Sequence, residues 1–349
     1  MENFKYPEKI TSYLKKLIIS KPIAKQFLSS DLEQRSSGTK MPFEEGKGAF
    51  GIYGVERLYK DRLVITPTMN CPAHCRFCYR KDRVMKKKRE MTFEEIDRAT
   101  EEIEKRKEIR GVLITGGDPF MNVDKLFYLL DKLIFLENIF EIRIGTRSFL
   151  MRPDFFTTDL VEKIVSYQRI NTKHPKKSKS LAINVHFNHV DEITNKTMKA
   201  AHLFSSRGIV LRNQSVLLKG INDNVKDLKI LNTILLRNNI LPYYLSHCDP
   251  VIGSDHMRTS VIKGLEIYKV LSRESSTALP FYILDLPVGK IRLFPDMKLQ
   301  YKMIDQKRYI EIITPYLAKD FRKITKKELP LLHYETSNGF IRGYYLDGN

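Results

Sequence analysis

The sequence predicts an α/β fold, a partial (β/α)6 TIM-like barrel, and two observations predict it. From residue 61 onward, short β-branched runs alternate with longer helical patterns, the rhythm of parallel strands joined by helical crossovers. Six of these runs also carry a polar cluster at or near their C-terminal ends: CPAHCRFC, TGGD, GTR, HFNH, NQS and HCD. In a parallel barrel the strand-to-helix loops converge on one mouth, which is where a site is built. One such cluster is ordinary turn chemistry; six in succession, several with His, Cys or Arg, imply a shared mouth.

In chain order, residues 1–50 read as a Lys-rich helical lead-in that closes in a polar stretch over 38–51. Strands are expected at 62–67, 111–115, 141–146, 181–187, 210–217 and 241–246. Thr92 and Glu95 form a T-x-x-E capping box, with Ile96, Ala99 and Ile103 at helical spacing behind it. A later helix is expected from near Asp191 to Gly208, a glycine suited to the left-handed position after a helix. The apolar run 281–286 follows the last helix. The expected division is an N-terminal extension (1–50), a core (51–300) and a C-terminal extension (301–349).

Composition narrows the class. A chain of 349 residues, 42% hydrophobic, with 17 Gly and 15 Pro, is neither disordered nor fibrous. It carries 60 Lys+Arg against 41 Asp+Glu, a formal charge of +19. No apolar run approaches the roughly 18 residues a membrane span needs, and the opening lacks a signal-peptide core, so the expected location is the cytoplasm. Two basic stretches, KKKR (86–89) and RINTKHPKKSKS (169–180), read as solvated loops. They lack the interleaved aromatics that stack on bases, which makes nucleic-acid binding a minor alternative.

Cys71, Cys75 and Cys78 form C-x3-C-x2-C, and thiolates grouped this closely hold metal. Zinc with His74 as a fourth ligand is one reading, although structural zinc usually draws paired ligands from two segments. The other is a 4Fe-4S cluster on three cysteines, which leaves one iron open for a substrate or cofactor.

These residues resemble the radical S-adenosylmethionine superfamily. The resemblance implies that the open iron chelates S-adenosylmethionine, that the reduced cluster cleaves it to a 5′-deoxyadenosyl radical, and that Gly116, Gly117 and Asp118 form the second binding element. Over roughly residues 50–300 the chain is similar to the lysine 2,3-aminomutase family, through YKDRLVITPTMNCPAHCRFCYR, GVLITGGD, EIRIGTR, NVHFNHVDEIT, RNQSVLLKGINDN, LPYYLSHCD and the region 285–295. That similarity implies a shift of an amino group from C2 to C3 of a free amino acid, with pyridoxal 5'-phosphate holding the nitrogen. Lys290 falls at the family's pyridoxal lysine, Arg62 at a phosphate-binding arginine and Arg80 at the residue that pairs with the substrate carboxylate. His186 and Gln214 match S-adenosylmethionine contacts. Asp249 and Asp285 match the two aspartates that hold a distal ammonium, which points to L-lysine ahead of L-arginine.

The chain also departs from the family. VGK replaces a glycine run two residues longer before the lysine. Leu58 stands where a second phosphate-binding basic residue is expected, with Arg57 beside it as a substitute. Asn224 and the lack of any cysteine after Cys248 remove the family's intersubunit zinc, so no zinc is expected and the oligomeric state is open. A one-electron donor such as flavodoxin or ferredoxin is the expected protein partner. The alternatives are a radical enzyme without pyridoxal phosphate that modifies RNA or protein, and an aminomutase for another amino acid.

Overall fold

The computed structural model describes residues 6–43, 48–86, 89–275 and 277–348. One curled sheet runs through nine strands in sequence order: β1 (Val55–Glu56), β2 (Arg62–Thr68), β3 (Gly111–Gly116), β4 (Glu141–Gly145), β5 (Ser180–Val185), β6 (Val210–Leu217), β7 (Ile240–His247), β8 (Phe281–Leu286) and β9 (Gly289–Arg292). Strands β2 to β8 are parallel, and β1 and β9 close the two edges antiparallel. The six strands expected from sequence are present within about two residues at each end. A seventh parallel strand, β8, is the apolar 281–286 run.

The periodicities explain the layering. In β6, Leu211, Asn213, Ser215 and Leu217 are buried against the outer layer, while Arg212, Gln214 and Val216 alternate toward the barrel interior and stay half-exposed. Outside the sheet, Thr92 Oγ1 accepts from Glu95 N at 3.1 Å and Glu95 Oε2 accepts from Thr92 N at 3.0 Å, which completes the expected capping box. Helix Phe93–Glu104 then buries Ile96, Ala99 and Ile103. Asn224 caps helix Val225–Arg237 by accepting from Asp227 N at 2.9 Å.

The N-terminal helices Ser12–Leu17 and Lys21–Phe27 place Leu14, Ile23 and Phe27 in the main core, so this lead-in is part of the packed body. At the other end, β10 (Gln300–Ile304), β11 (Lys307–Leu317), β12 (His333–Glu335) and β13 (Phe340–Leu346) form a second, antiparallel sheet in the order β10-β11-β13-β12. Ile310, Ile312, Phe321 and Ile341 from this region share a core with Tyr282, Leu284 and Leu286 of the last parallel strand. Among the described residues no helix is long and apolar enough to cross a membrane. Stretch 169–180 is largely exposed and pinned by an Arg169–Lys179 bridge; Lys87 and Lys88 of the other basic run lie outside the described residues.

Candidate active site

A cavity of about 420 Å³ opens at the C-terminal mouth of the parallel strands. Cys71, Cys75, Cys78, Arg62, Arg80, Gly116, Gly117, Asp118, His186, Gln214, Asp249, Asp285 and Lys290 all line it. Two residues weighed from sequence do not. His74 is turned onto the Pro7 carbonyl, 2.9 Å from Nδ1, and Cys248 is packed with Leu218, Ile221 and Met257.

The cysteines occupy the loop after β2. Burial raises all three thiols, Cys78 to about 12, so each is neutral unless a cation replaces its proton. Among the described residues no three His, Cys, Asp or Glu side chains converge on a single-ion site. One thiolate per iron of a larger cluster makes no such demand, and the sulfur donors suit iron. The TGGD turn lies directly on this loop: Gly117 N donates to Thr68 O at 2.9 Å and Asp118 N to Asn70 O at 2.8 Å. A Cβ on Gly117 would stand 2.3 Å from Asn70 O, so the approach requires glycine. Asp118 carries the linkage onward, accepting from Thr146 Oγ1 at 2.8 Å and Arg147 N at 3.0 Å.

Arg147 is the residue that sequence reading left in the GTR turn without a role. Its guanidinium donates to Cys75 Sγ at 3.0 Å, to Gln26 Oε1 at 2.5 Å and to Glu192 Oε1 at 3.2 Å, all in a buried setting. Gln26 Nε2 in turn donates to Glu192 Oε1 at 2.6 Å. The N-terminal extension therefore supplies part of the cysteine loop's outer shell. Beside it, His186 is desolvated and near the Arg147 cation, which holds its pKa well below the ordinary value, and its Nε2 lies 3.0 Å from Asn188 Oδ1. Neutral His186, just past the end of β5, and Gln214, on β6, both line the chamber.

Lys290 lines the same cavity from β9. Its backbone N donates to Tyr59 Oη at 2.8 Å and its carbonyl accepts from Tyr316 Oη at 2.7 Å. Gly289 has φ +142, and a Cβ there would lie 2.3 Å from the Tyr316 ring, so the glycine of VGK permits the hairpin to press against β11. Lys290 Nζ pairs with both oxygens of Asp285, at 2.6 and 2.7 Å. Burial opposes the ammonium, but Asp285, with smaller help from Tyr59 and Asp249, raises its pKa.

Arg62 lies 3.8 Å over the Tyr59 ring, and its buried Nε has no hydrogen-bond partner among the described residues. This donor fits an anion in the chamber. Arg57, the expected substitute at the Leu58 position, is committed to Glu108 Oε1 and the Lys60 carbonyl, each at 2.8 Å. Sequence reading therefore missed the roles of Gln26, Tyr59, Arg147, Glu192 and Tyr316, which act through hydrogen bonds that only the fold brings together.

A parallel partial barrel with a three-cysteine loop after its first parallel strand, strapped to a Gly-Gly-Asp turn after its second, defines a radical S-adenosylmethionine protein. Residues 65–229 match the Radical SAM superfamily, whose cofactors are a 4Fe-4S cluster and S-adenosylmethionine. The sequence is 35% identical over 325 residues to L-lysine 2,3-aminomutase of Methanococcus maripaludis, covering 89% of this chain and 72% of that one. It is 33% identical over 272 residues to L-lysine 2,3-aminomutase of Clostridium subterminale (77% and 62%), and 34% identical over 237 residues to glutamate 2,3-aminomutase of Clostridioides difficile (67% and 54%). The chain belongs to the lysine 2,3-aminomutase family, and it spans between 54% and 72% of the length of these relatives.

Proposed function

We propose that this chain is a pyridoxal-phosphate-dependent radical aminomutase that converts L-lysine to β-lysine by moving the amino group from C2 to C3. The observation that carries the reading is that Lys290 and the three cysteines line one and the same chamber. The cluster with S-adenosylmethionine supplies a carbon radical that removes hydrogen, and pyridoxal phosphate supplies a carbonyl that holds the migrating nitrogen.

The chain's own residues do the rest. Cys71, Cys75 and Cys78 hold the cluster, and Gly116 and Gly117 keep a bare backbone beside it while Asp118 ties the turn to Arg147. His186 and Gln214 contact the adenosyl side. Lys290 is the covalent anchor for the cofactor aldehyde and Arg62 binds its phosphate. Arg80, buried at the cavity wall, pairs with the substrate carboxylate. Asp249 and Asp285 face the substrate's distal ammonium; with a glutamate-specific relative in the family, these carboxylates are what favours a cationic side chain. Leu286, Phe321 and Pro330 add apolar wall that limits water around a radical. We read 51–300 as the catalytic core, working in the cytoplasm with a flavodoxin or ferredoxin as electron donor.

The test is anaerobic incubation of the reconstituted protein with S-adenosylmethionine, dithionite, pyridoxal phosphate and single amino acids, read by formation of an isomer of unchanged mass. β-Lysine from L-lysine is the expected product. Glutamate turned over as fast as lysine would overturn the substrate assignment, and no isomer from any amino acid would overturn the reaction.

A further inference from the structure

Asp285 and Lys290 are register partners across the β8–β9 hairpin, whose turn consists of Pro287 and Val288 alone. Directly opposed residues on an antiparallel pair send their side chains from the same face, with Cβ atoms about 5 Å apart. The short turn therefore fixes this pairing before any ligand arrives. Nζ contacts both Asp285 oxygens, and Asp249 adds its field to the same ammonium. A primary ammonium on a four-carbon stem is also the side chain of free lysine. The protein thus already holds, on Asp285 and within the field of Asp249, the chemical group those aspartates are proposed to recognise.

We infer that in the cofactor-free protein Lys290 occupies the substrate's own cation subsite, and that a cationic amino acid enters it only after Lys290 has left. The inference rests on the aminomutase reading for the identity of that ligand. Lys290 leaves when its amine, having released one proton, condenses with an aldehyde: a C=N bond forms, the aldehyde C=O bond breaks, and the oxygen departs as water with the two amine hydrogens. Asp285 then loses its partner, and the uncompensated carboxylate favours a second ammonium. The hairpin so imposes an order in which the cofactor aldehyde precedes the cationic substrate.

The experiment is equilibrium dialysis of L-lysine and of L-norleucine against cofactor-free wild-type protein, Lys290→Gln and Lys290→Met, with circular dichroism to select folded samples. Both variants are expected to bind L-lysine at least about tenfold more tightly than wild type does, which corresponds to about 1.4 kcal/mol. L-Norleucine, which lacks the cation, should show no gain. Adding Asp285→Asn to Lys290→Gln should abolish the gain for lysine. Equal lysine affinity in wild type and variants overturns the inference, and so does an equal gain for norleucine, which would report lost bulk rather than a vacated charge site. A gain for lysine in a protein whose loaded form makes no isomer would sustain the self-occupied subsite and sink the aminomutase reading; isomer formation without the gain would do the reverse.

Discussion

Arg147 Nη1 lies 3.0 Å from Cys75 Sγ, and the same guanidinium is held by Gln26 and Glu192. A buried N–H donor and positive charge at a cluster thiolate stabilise the more electron-rich, reduced cluster. Arg147→Met is therefore expected to keep its iron but lower the cluster's midpoint potential by about 59 mV or more, a tenfold change in a one-electron equilibrium. An EPR-monitored redox titration checks this, and an unchanged potential would reduce Arg147 to a packing residue.

Cys71→Ala, Cys75→Ala and Cys78→Ala should each fail to assemble the cluster and to form 5′-deoxyadenosine from S-adenosylmethionine. Cys248→Ala should retain full iron content, because Cys248 sits outside the cavity with Met257 and Leu218. Its expected cost is confined to packing, on the order of 1 kcal/mol. Iron analysis after anaerobic reconstitution decides both halves.

Borohydride reduction of the pyridoxal-phosphate-loaded protein should label Lys290, read by peptide mapping. Gly289→Ala drives a Cβ into the Tyr316 ring and should cost about 1 to 3 kcal/mol of overpacking while displacing that lysine. The expected result is weaker pyridoxal absorbance with iron content unchanged. A label on another lysine would remove Lys290 from its proposed role.

His247 supplies a pH dependence. Burial, with Arg258 adding repulsion, lowers its pKa from 6.5 to about 3, and its Nδ1 lies 2.8 Å from Tyr282 Oη. The unfolded state binds the proton more readily, so stability is complete above about pH 6.5 and falls as pH drops toward 3. The slope from this one group approaches about 1.4 kcal/mol per pH unit. His247→Gln should flatten the difference between urea unfolding free energies at pH 7 and pH 5 in the cluster-free protein. A variant with the wild-type pH difference would exclude His247 as its source.

The barrel strands were readable because each pairs a β-branched run with a polar end, and the cavity wall was readable because its groups lie at those ends. Strand β8 was visible as an apolar run but not as a parallel partner, since a short buried run fixes no neighbour. In the C-terminal sheet β10 is almost wholly exposed and shows no alternation to read, whereas β11 does alternate over 309–315 and was a legible signal left unused. Arg147 carries a common residue type in a common turn; only the fold brings Cys75, Gln26 and Glu192, far apart in sequence, onto its guanidinium. The Asp285–Lys290 pair had both members named from sequence, yet their contact depends on a two-residue turn whose register the spacing alone did not reveal.

Tyr316 belongs to the sheet that follows the barrel, yet its hydroxyl holds the carbonyl of Lys290. The two halves of the chemistry therefore age differently along the polypeptide. On a ribosome the three cysteines and the turn that braces their loop emerge long before Tyr316, so the contact that holds the Lys290 carbonyl is made only after the barrel strands have been synthesised. Loss of that sheet would therefore do two things at once: free the Lys290 carbonyl and uncover Leu284 and Leu286 of the last parallel strand, whose core the sheet completes.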